Sequence, residues 1–484
     1  MFPAMPRPPR RIAVPLIVAC GLMMENLDSA VLSTALPAVA KSLGENPLHL
    51  SLAITAYLFS LAVFIPVSGW LADRFGARNV FRTAIVIFIL GSVAAGFSNS
   101  LTELVLARLF QGLGGSMMVP VGRLVVLRTV SKAEMVSAMA WLTTPALLGP
   151  VFGPPLGGFI TTYLSWRWIF WLNVPIALVG IVMVSLFIEN TKEQNVPPLD
   201  WRGFALTSTG LACAMFGFET LGRGIVPLPL SISLLATGAA ILAFYVLYTR
   251  RTEHPILALS LLQIPTFRAS VLGASSFRIA IGALPFLLPL MLQIGFGLSP
   301  FESGMLTFAG AAGALTMKMT AGPILRGFGF KRVLTVNSFI VGLSLAAIGL
   351  FTPTTPGWII LGVLLIGGFF RSLQFTSANT LGYADIPSVR MSQATSFASM
   401  AQQLSLTIGV AVGALLLHFT QLLRGGGALD AGDFVLPFLF VGLIAAVSGM
   451  TFLRLPADAG AEVSGKRLGR RPEPPAKLST APGE

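Results

Sequence analysis

The sequence predicts an all-α, multi-pass membrane protein. Three observations carry that prediction. Mean hydropathy is +0.81 and 54% of the 484 residues are hydrophobic, while only 11% are charged; soluble domains carry about 25% charged residues. The apolar residues fall in long runs, each near the ~20 residues a helix needs to cross a bilayer. The Lys and Arg residues are unevenly shared between the loops that join those runs.

Taken in order, the runs place fourteen span cores at 12–36, 51–72, 80–98, 102–127, 135–163, 168–188, 204–222, 229–249, 269–294, 302–325, 333–352, 357–383, 392–420 and 434–453. With the N-terminus inside, twenty-three Lys and Arg fall on the inner side, counting the C-terminal tail. Four fall outside, namely Lys41, Arg167, Arg223 and Arg424. That bias predicts fourteen spans with both termini cytoplasmic. The formal charge of +13 is thereby explained by topology, and without a basic–aromatic patch nucleic acid is excluded as a partner. Cys20 and Cys213 sit within spans and form no ligand cluster, so neither a metal nor a cofactor is expected. The segment MFPAMPRPPRR leads into the first span without a small-residue cleavage site, so no removable signal peptide is expected. Residues 456–484 are rich in Pro, Gly and Arg and read as a disordered cytoplasmic tail, with Lys466 to Arg471 available to anionic lipid.

The first span holds Glu25 and Asp28, three residues apart and hence on one helix face. An ionisable side chain at the bilayer centre costs about 2.5 to 3.5 kcal/mol on insertion scales, so this face should turn inward. Five bases also fall within spans: Arg108, Arg123, Arg278, Lys318 and Arg371. Arg123 lies near the inner end of its span, where it is expected to snorkel; Lys318 is open to the same role. Glu219 and Arg223 read as an interfacial pair. Acids then lie deep in the first half of the chain and unpaired bases in the second. Either they pair across a central cavity, or the basic side receives an anion. Exposing an acid alternately to two sides of the membrane changes its solvation and its distance from a base, and so its proton affinity.

Four stretches give the family resemblance. GWLADRFGARNVFR, from Gly69 to Arg82, resembles the signature loop of the major facilitator superfamily of secondary transporters. LARLFQGLGGSMM, from Leu106, is similar to that superfamily's span-4 pattern, with Arg108, Gln111, Gly112 and Gly114 at matching positions. ALLGPVFGPPLGGFI, from Ala146 to Ile160, resembles the span-5 antiporter pattern and carries Gly149, Pro150, Gly153, Pro154, Gly157 and Gly158. LDSAVLSTALP, from Leu27, and SWRWIFWLNVP, from Ser165, resemble the fourteen-span drug:proton antiporters. In the second half AGPILRGFGFKRVL, from Ala321, echoes the signature loop, but Arg326 stands where Asp73 stands in the first.

The resemblance implies the major facilitator fold: two six-helix bundles, at 12–190 and 265–455, with two inserted transmembrane helices within 200–250. It implies a proton-coupled antiporter of the multidrug efflux type, conferring antibiotic resistance, monomeric and resident in the bacterial inner membrane. Its partners would be protons, a small-molecule substrate and the lipid bilayer. Asp28, assisted by Glu25 and tuned by Arg108, is the expected proton-coupling site. Gly69, Asp73, Arg74, Gly76 and Arg78 are the expected conformational latch. Asn26, Gln111, Arg278, Arg371, Gln374, Gln402 and Gln403 are candidates for the substrate cavity, with helix-to-helix hydrogen bonding as the competing role for the amides. Export of amphipathic compounds leads; export of an endogenous anionic or lipid-like metabolite is the alternative. An enzyme is disfavoured, because the three histidines are scattered and neither HExxH nor GxSxG occurs. A channel is disfavoured by the absence of a repeated filter segment.

Overall fold

The computed structural model describes residues 10–45, 47–146, 148–220, 226–425 and 429–465. The described chain is helical, as bilayer-buried backbone must be to satisfy its own polar groups. In order the helices are α1 (Arg10–Leu43), α2 (Pro47–Phe64), α3 (Ser68–Phe75), α4 (Ala77–Phe97), α5 (Leu101–Thr129) and α6 (Met135–Ala146). Then come α7 (Leu148–Tyr163), α8 (Trp168–Trp171), α9 (Asn173–Phe187), α10 (Trp201–Thr220), α11 (Leu228–Thr249) and α12 (Pro265–Arg268). The last six are α13 (Ala274–Leu290), α14 (Pro300–Gly349), α15 (Gly357–Tyr383), α16 (Met391–Leu423), α17 (Val435–Leu453) and α18 (Ala461–Ser464).

Eleven stretches among the described residues are long and apolar enough to cross a membrane, against the fourteen expected. The difference has local causes. One stretch, Glu302–Gly349, runs 48 residues, and at 1.5 Å per residue it would reach ~70 Å, more than twice a ~30 Å hydrocarbon core. It contains Gly329 at φ 74°, ψ 163°, a break that falls between the expected spans 302–325 and 333–352. Within the expected span 135–163, α6 and α7 lie on either side of residue 147, which is outside the described residues, so that stretch is not counted as one. The expected span 204–222 corresponds to α10, which is 20 residues long and packs against α11, α2 and α16.

Helices α1 to α9 pack mainly on one another: α1 on α2, α5, α6, α7 and α9, and α4 on α5 and α9. Helices α13 to α17 do the same: α14 on α15 and α17, and α13 on α16 and α17. The two groups meet where α16 lies against α3 and α5, and where α6 lies against α14 and α15. Small residues permit the close crossings. A Cβ on Gly69 would stand 2.6 Å from the carbonyl oxygen of Ser392 in α16, and one on Gly149 would stand 2.7 Å from the backbone nitrogen of Leu27 in α1.

The tail boundary moves. Residues 456–465 are described and contain α18, whose Val463 is 1% exposed and joins the core that includes Phe330 and Leu381. One apolar residue in a polar segment suffices as an anchor, helped by Lys132 Nζ donating to Glu462 at 2.8 Å. That ammonium holds the Glu462 carboxyl below its ordinary value. Residues 466–484, with the basic stretch Lys466 to Arg471, and Arg223 of the expected pair with Glu219, lie outside the described residues.

Candidate functional site

Asp28 is the best-defined polar centre in the first group of helices. It sits on α1 at 1% exposure, and Arg108 on α5 is equally buried. Arg108 Nη1 donates to Asp28 Oδ2 at 2.5 Å and to Gln111 Oε1 at 2.7 Å. Gln111 Nε2 donates to Asp28 Oδ1 at 3.0 Å, and Asn173 Nδ2 on α9 donates to the same oxygen at 2.9 Å. Asn173 also donates to Ser92 Oγ of α4 at 3.0 Å. The carboxylate thus ties three helices together and is neutralised by one cation. The Arg108 guanidinium also lies over the Tyr57 ring, 4.4 Å from its centroid. A buried ion pair is tolerable only with its remaining hydrogen-bond sites filled, and here three donors meet the carboxylate.

Glu25 interacts electrostatically with Tyr57 of α2 and with Asp28. Its Oε2 and the Tyr57 hydroxyl are both buried without a hydrogen-bond partner. Glu25 thus adjoins the Asp28–Arg108 pair through Tyr57, whose ring lies under the guanidinium. Asn26 is half-buried and returns its amide to Leu22 O at 2.8 Å.

The signature loop forms a cluster, but with a different membership from the expected one. Arg128 Nη2, from the last turn of α5, donates to Asp73 Oδ1 at 2.8 Å and to Glu193 Oε1 at 3.0 Å. The Ser392 hydroxyl of α16 donates to Asp73 Oδ2, so the carboxylate links the two groups of helices. The neighbouring Ser68 and Ser396 hydroxyls are 2.9 Å apart. Arg74 is exposed and lines a surface groove with Trp70 and Trp201. Arg78 donates to Ile188 O at 3.3 Å. Arg74 and Arg78 are therefore corrected out of the carboxylate's partners: Arg74 points to solvent, and Arg78 serves the end of α9. Gly76 keeps a role, at φ 90°, ψ 134° between α3 and α4, where a side chain would be strained.

In the span-5 stretch, Gly149 and Gly153 face α1, and a Cβ on Gly153 would stand 2.5 Å from Ala30 Cβ. Gly157 is buried. Pro150, Pro154 and Gly158 lie within α7, outside the residues whose side chains are described.

Four bases within the expected spans, Arg123 of the first group and Arg278, Lys318 and Arg371 of the second, meet no carboxylate among the described residues. Arg123 is buried, with Nη1 donating to Tyr383 Oη at 3.0 Å and Ser399 Oγ at 3.5 Å, and Nη2 to Gln402 Oε1 at 3.4 Å. It does not snorkel; its three partners on α15 and α16 hold it inside. Arg278 is 1% exposed, with Nη1 to Ser270 O at 2.9 Å and Nη2 to Asn379 Oδ1 at 2.8 Å. Lys318 Nζ donates to Thr143 Oγ1 of α6 at 2.6 Å and to Thr376 Oγ1 at 2.9 Å, a bridge between the groups in place of a snorkel. Arg371 lies over Gly310 and Gly367, with Nη1 buried and without a partner. Gln374 is not a cavity residue: it is fully buried and spent on Asn337, Ser338 and Leu334 O, tying α15 to α14. Gln403 is half-buried on α16 beside Gln402. Among the described residues no ion pair joins the acids of the first group to the bases of the second: Asp28 is neutralised within its own group.

Tyr57, Arg128, Asn173, Glu193, Tyr383 and Ser392 were not singled out by sequence reasoning. Asn173 lies in the SWRWIFWLNVP stretch, so a polar residue there was the available signal. Arg128 was visible only as one inner-side charge among many.

Comparison with known proteins agrees with this architecture. The family model described as Major Facilitator Superfamily matches residues 18–410 and 271–479. Proteins named "Putative multidrug resistance protein MdtD" from Escherichia coli strain K12 and Shigella boydii serotype 4 (strain Sb227) are 38% identical over 459 residues, covering 94% of this chain and 97% of theirs. The crystal structure of the human organic anion transporter MFSD10 (TETRAN) matches with a TM-score of 0.66 at 16% identity, covering 92% of this chain and all of that one. With its apolar helices, paired helix groups and this similarity, the chain is a multi-pass membrane transporter, not an enzyme, and it belongs to the major facilitator superfamily.

Proposed function

We propose that the chain is a proton-coupled antiporter that exports amphipathic small molecules, drugs among them, by alternating access. In this reading it crosses the bacterial inner membrane fourteen times as a monomer, with both termini cytoplasmic. Residues 12–190 and 265–455 form the two rocking bundles and 200–250 supply the inserted pair. The break at Gly329 supports that count. The names of the 38%-identical relatives support the substrate class.

One observation carries the coupling: the buried Asp28–Arg108 bond, shared with Gln111 and Asn173 across α1, α5 and α9. A proton on Asp28 cancels the charge that holds Arg108. The guanidinium is then uncompensated in a dry interior and must find another acceptor, so the three helices no longer share one energy minimum. Coupling follows if protonation favours one orientation of the bundles and substrate the other. The Asp73–Ser392 and Arg123–Tyr383 contacts join the two groups near the basic loops, and in this reading they close the cytoplasmic side.

The test is substrate-driven proton flux in inverted vesicles. Asp28→Asn, which keeps the shape and removes the charge, should abolish flux while substrate binding persists. Unchanged flux would sink the reading. The alternative, export of an anionic metabolite, is favoured by the unpaired cations and is taken further below.

A further inference from the structure

Two buried cations, Arg123 and Arg278, and the half-buried Lys318 meet one stripe of α15. Thr376, Asn379 and Tyr383 are spaced three and four residues apart and so share a helix face. Each binds a different cation: Lys318, Arg278 and Arg123 in turn. Every acceptor these cations use is neutral, whether hydroxyl, amide or carbonyl. Arg278 lies close enough to Arg123 to be repelled by it. Burying like charges together is costly without an anion to offset them.

The donors also outnumber the acceptors. Arg123 Nε and Asn379 Nδ2 are buried without a partner. The backbone has been shaped to help: Ala274 N–H reaches back five residues to Ala269 O, and the Ser270 carbonyl accepts from Arg278 instead. Such widened turns recur at functional sites. Two of the three cations reach across the interface: Arg123 from α5 to α15 and α16, and Lys318 from α14 to α6. Separation of the groups at this end breaks those bonds and frees strong donors towards the basic side.

We propose that Arg123, Arg278 and Lys318 form a binding site for an anionic group, a carboxylate or phosphate, which takes the place of the Tyr383, Ser399, Gln402 and Thr143 oxygens when the basic end opens. The proposal rests on the exporter reading and narrows its substrate class to molecules carrying such a group. The anion is either a soluble solute or a lipid headgroup; the chemistry is the same. Arg108 is outside this site because Asp28 already neutralises it.

The experiment compares carboxyfluorescein, an anion, with ethidium, a cation, in inverted vesicles holding the full chain. Arg278→Gln and Lys318→Gln should each lower the ratio of carboxyfluorescein to ethidium transport by about tenfold, the worth of one charge-assisted hydrogen bond. Arg278→Lys should recover part of it. An unchanged ratio, or transport of ethidium alone by the wild type, overturns the proposal while leaving the exporter reading intact. Transport of neither dye counts against the exporter reading. The site is then judged by equilibrium binding of carboxyfluorescein to the purified chain, where equal affinity in wild type and both variants, or no binding, overturns it. Competition of that binding by phosphatidylglycerol in nanodiscs, beyond the effect of phosphatidylcholine, identifies the headgroup; competition by succinate or inorganic phosphate identifies a solute.

Discussion

Replacing Ser392 by Ala removes one bond that exists only while the two helix groups touch. The serine hydroxyl donates to Asp73, and Arg128 holds the other carboxylate oxygen at 2.8 Å. Side chains of Arg128 and Asp73 are 12% and 14% exposed, so water screens the pair only partly. A hydrogen bond to a charged group is worth about 1.5 to 3 kcal/mol, and partial exposure argues for the lower end. A loss of about 1.5 kcal/mol raises the population open at this end roughly tenfold relative to the closed one. Spin labels at Phe75 and Val389, 54% and 74% exposed, would report the distance between the groups by electron–electron double resonance, with Cys20 and Cys213 replaced by Ser. The long-distance population should rise about tenfold in Ser392→Ala. Asp73→Asn weakens the same bond, so the double variant should shift little beyond the larger single effect. Arg74→Ala should leave the distribution alone. An unmoved distribution in Ser392→Ala, or fully additive shifts, would refute the latch as drawn.

Two further outcomes follow from backbone geometry. Gly149→Val drives a side chain into the α1 backbone at Leu27, and such overpacking costs about 1 to 3 kcal/mol; the purified variant should melt lower than wild type, whereas Gly322→Ala, where a Cβ meets open space, should not. Gly76→Ala and Gly329→Ala place a Cβ at φ 90° and φ 74°, costing about 1 to 2 kcal/mol each. Thermal melts should fall for both, with the larger fall at Gly76, where the Cβ would also strike Asn190 at 2.2 Å.

Much of the fold was legible because membrane insertion leaves a strong signature. Runs of about twenty apolar residues and a one-sided bias of basic loops follow from bilayer thickness and surface charge, and both are local in sequence. The buried pair was legible from Asp28 and Arg108 for the same reason: charges inside spans are too costly to be idle. Its remaining donors were not, because Asn173 is an ordinary amide until α9 folds beside α1. The latch shows the limit most clearly. Asp73, Arg74 and Arg78 are adjacent in sequence, yet the cation that binds Asp73 comes from the far end of α5 and the hydroxyl from α16. Helix phase turned Arg74 outward, and adjacency in the loop gave no sign of it. Gln374 misled in the opposite way: a polar residue in a span is equally at home between helices of one bundle, where Asn337 and Ser338 claim it. The start of the tail was misread because composition averages over a segment, while Val463 anchors residues at its beginning.

The most direct measurement is infrared difference spectroscopy of the purified chain as a transported dye is added. If the Asp28 carboxylate gains or loses a proton as the bundles rock, a carboxylic acid C=O band should appear or vanish in the wild type and be missing from the Asp28→Asn difference spectrum. The same band persisting unaltered in Asp28→Asn would assign the proton to another group and contradict the account.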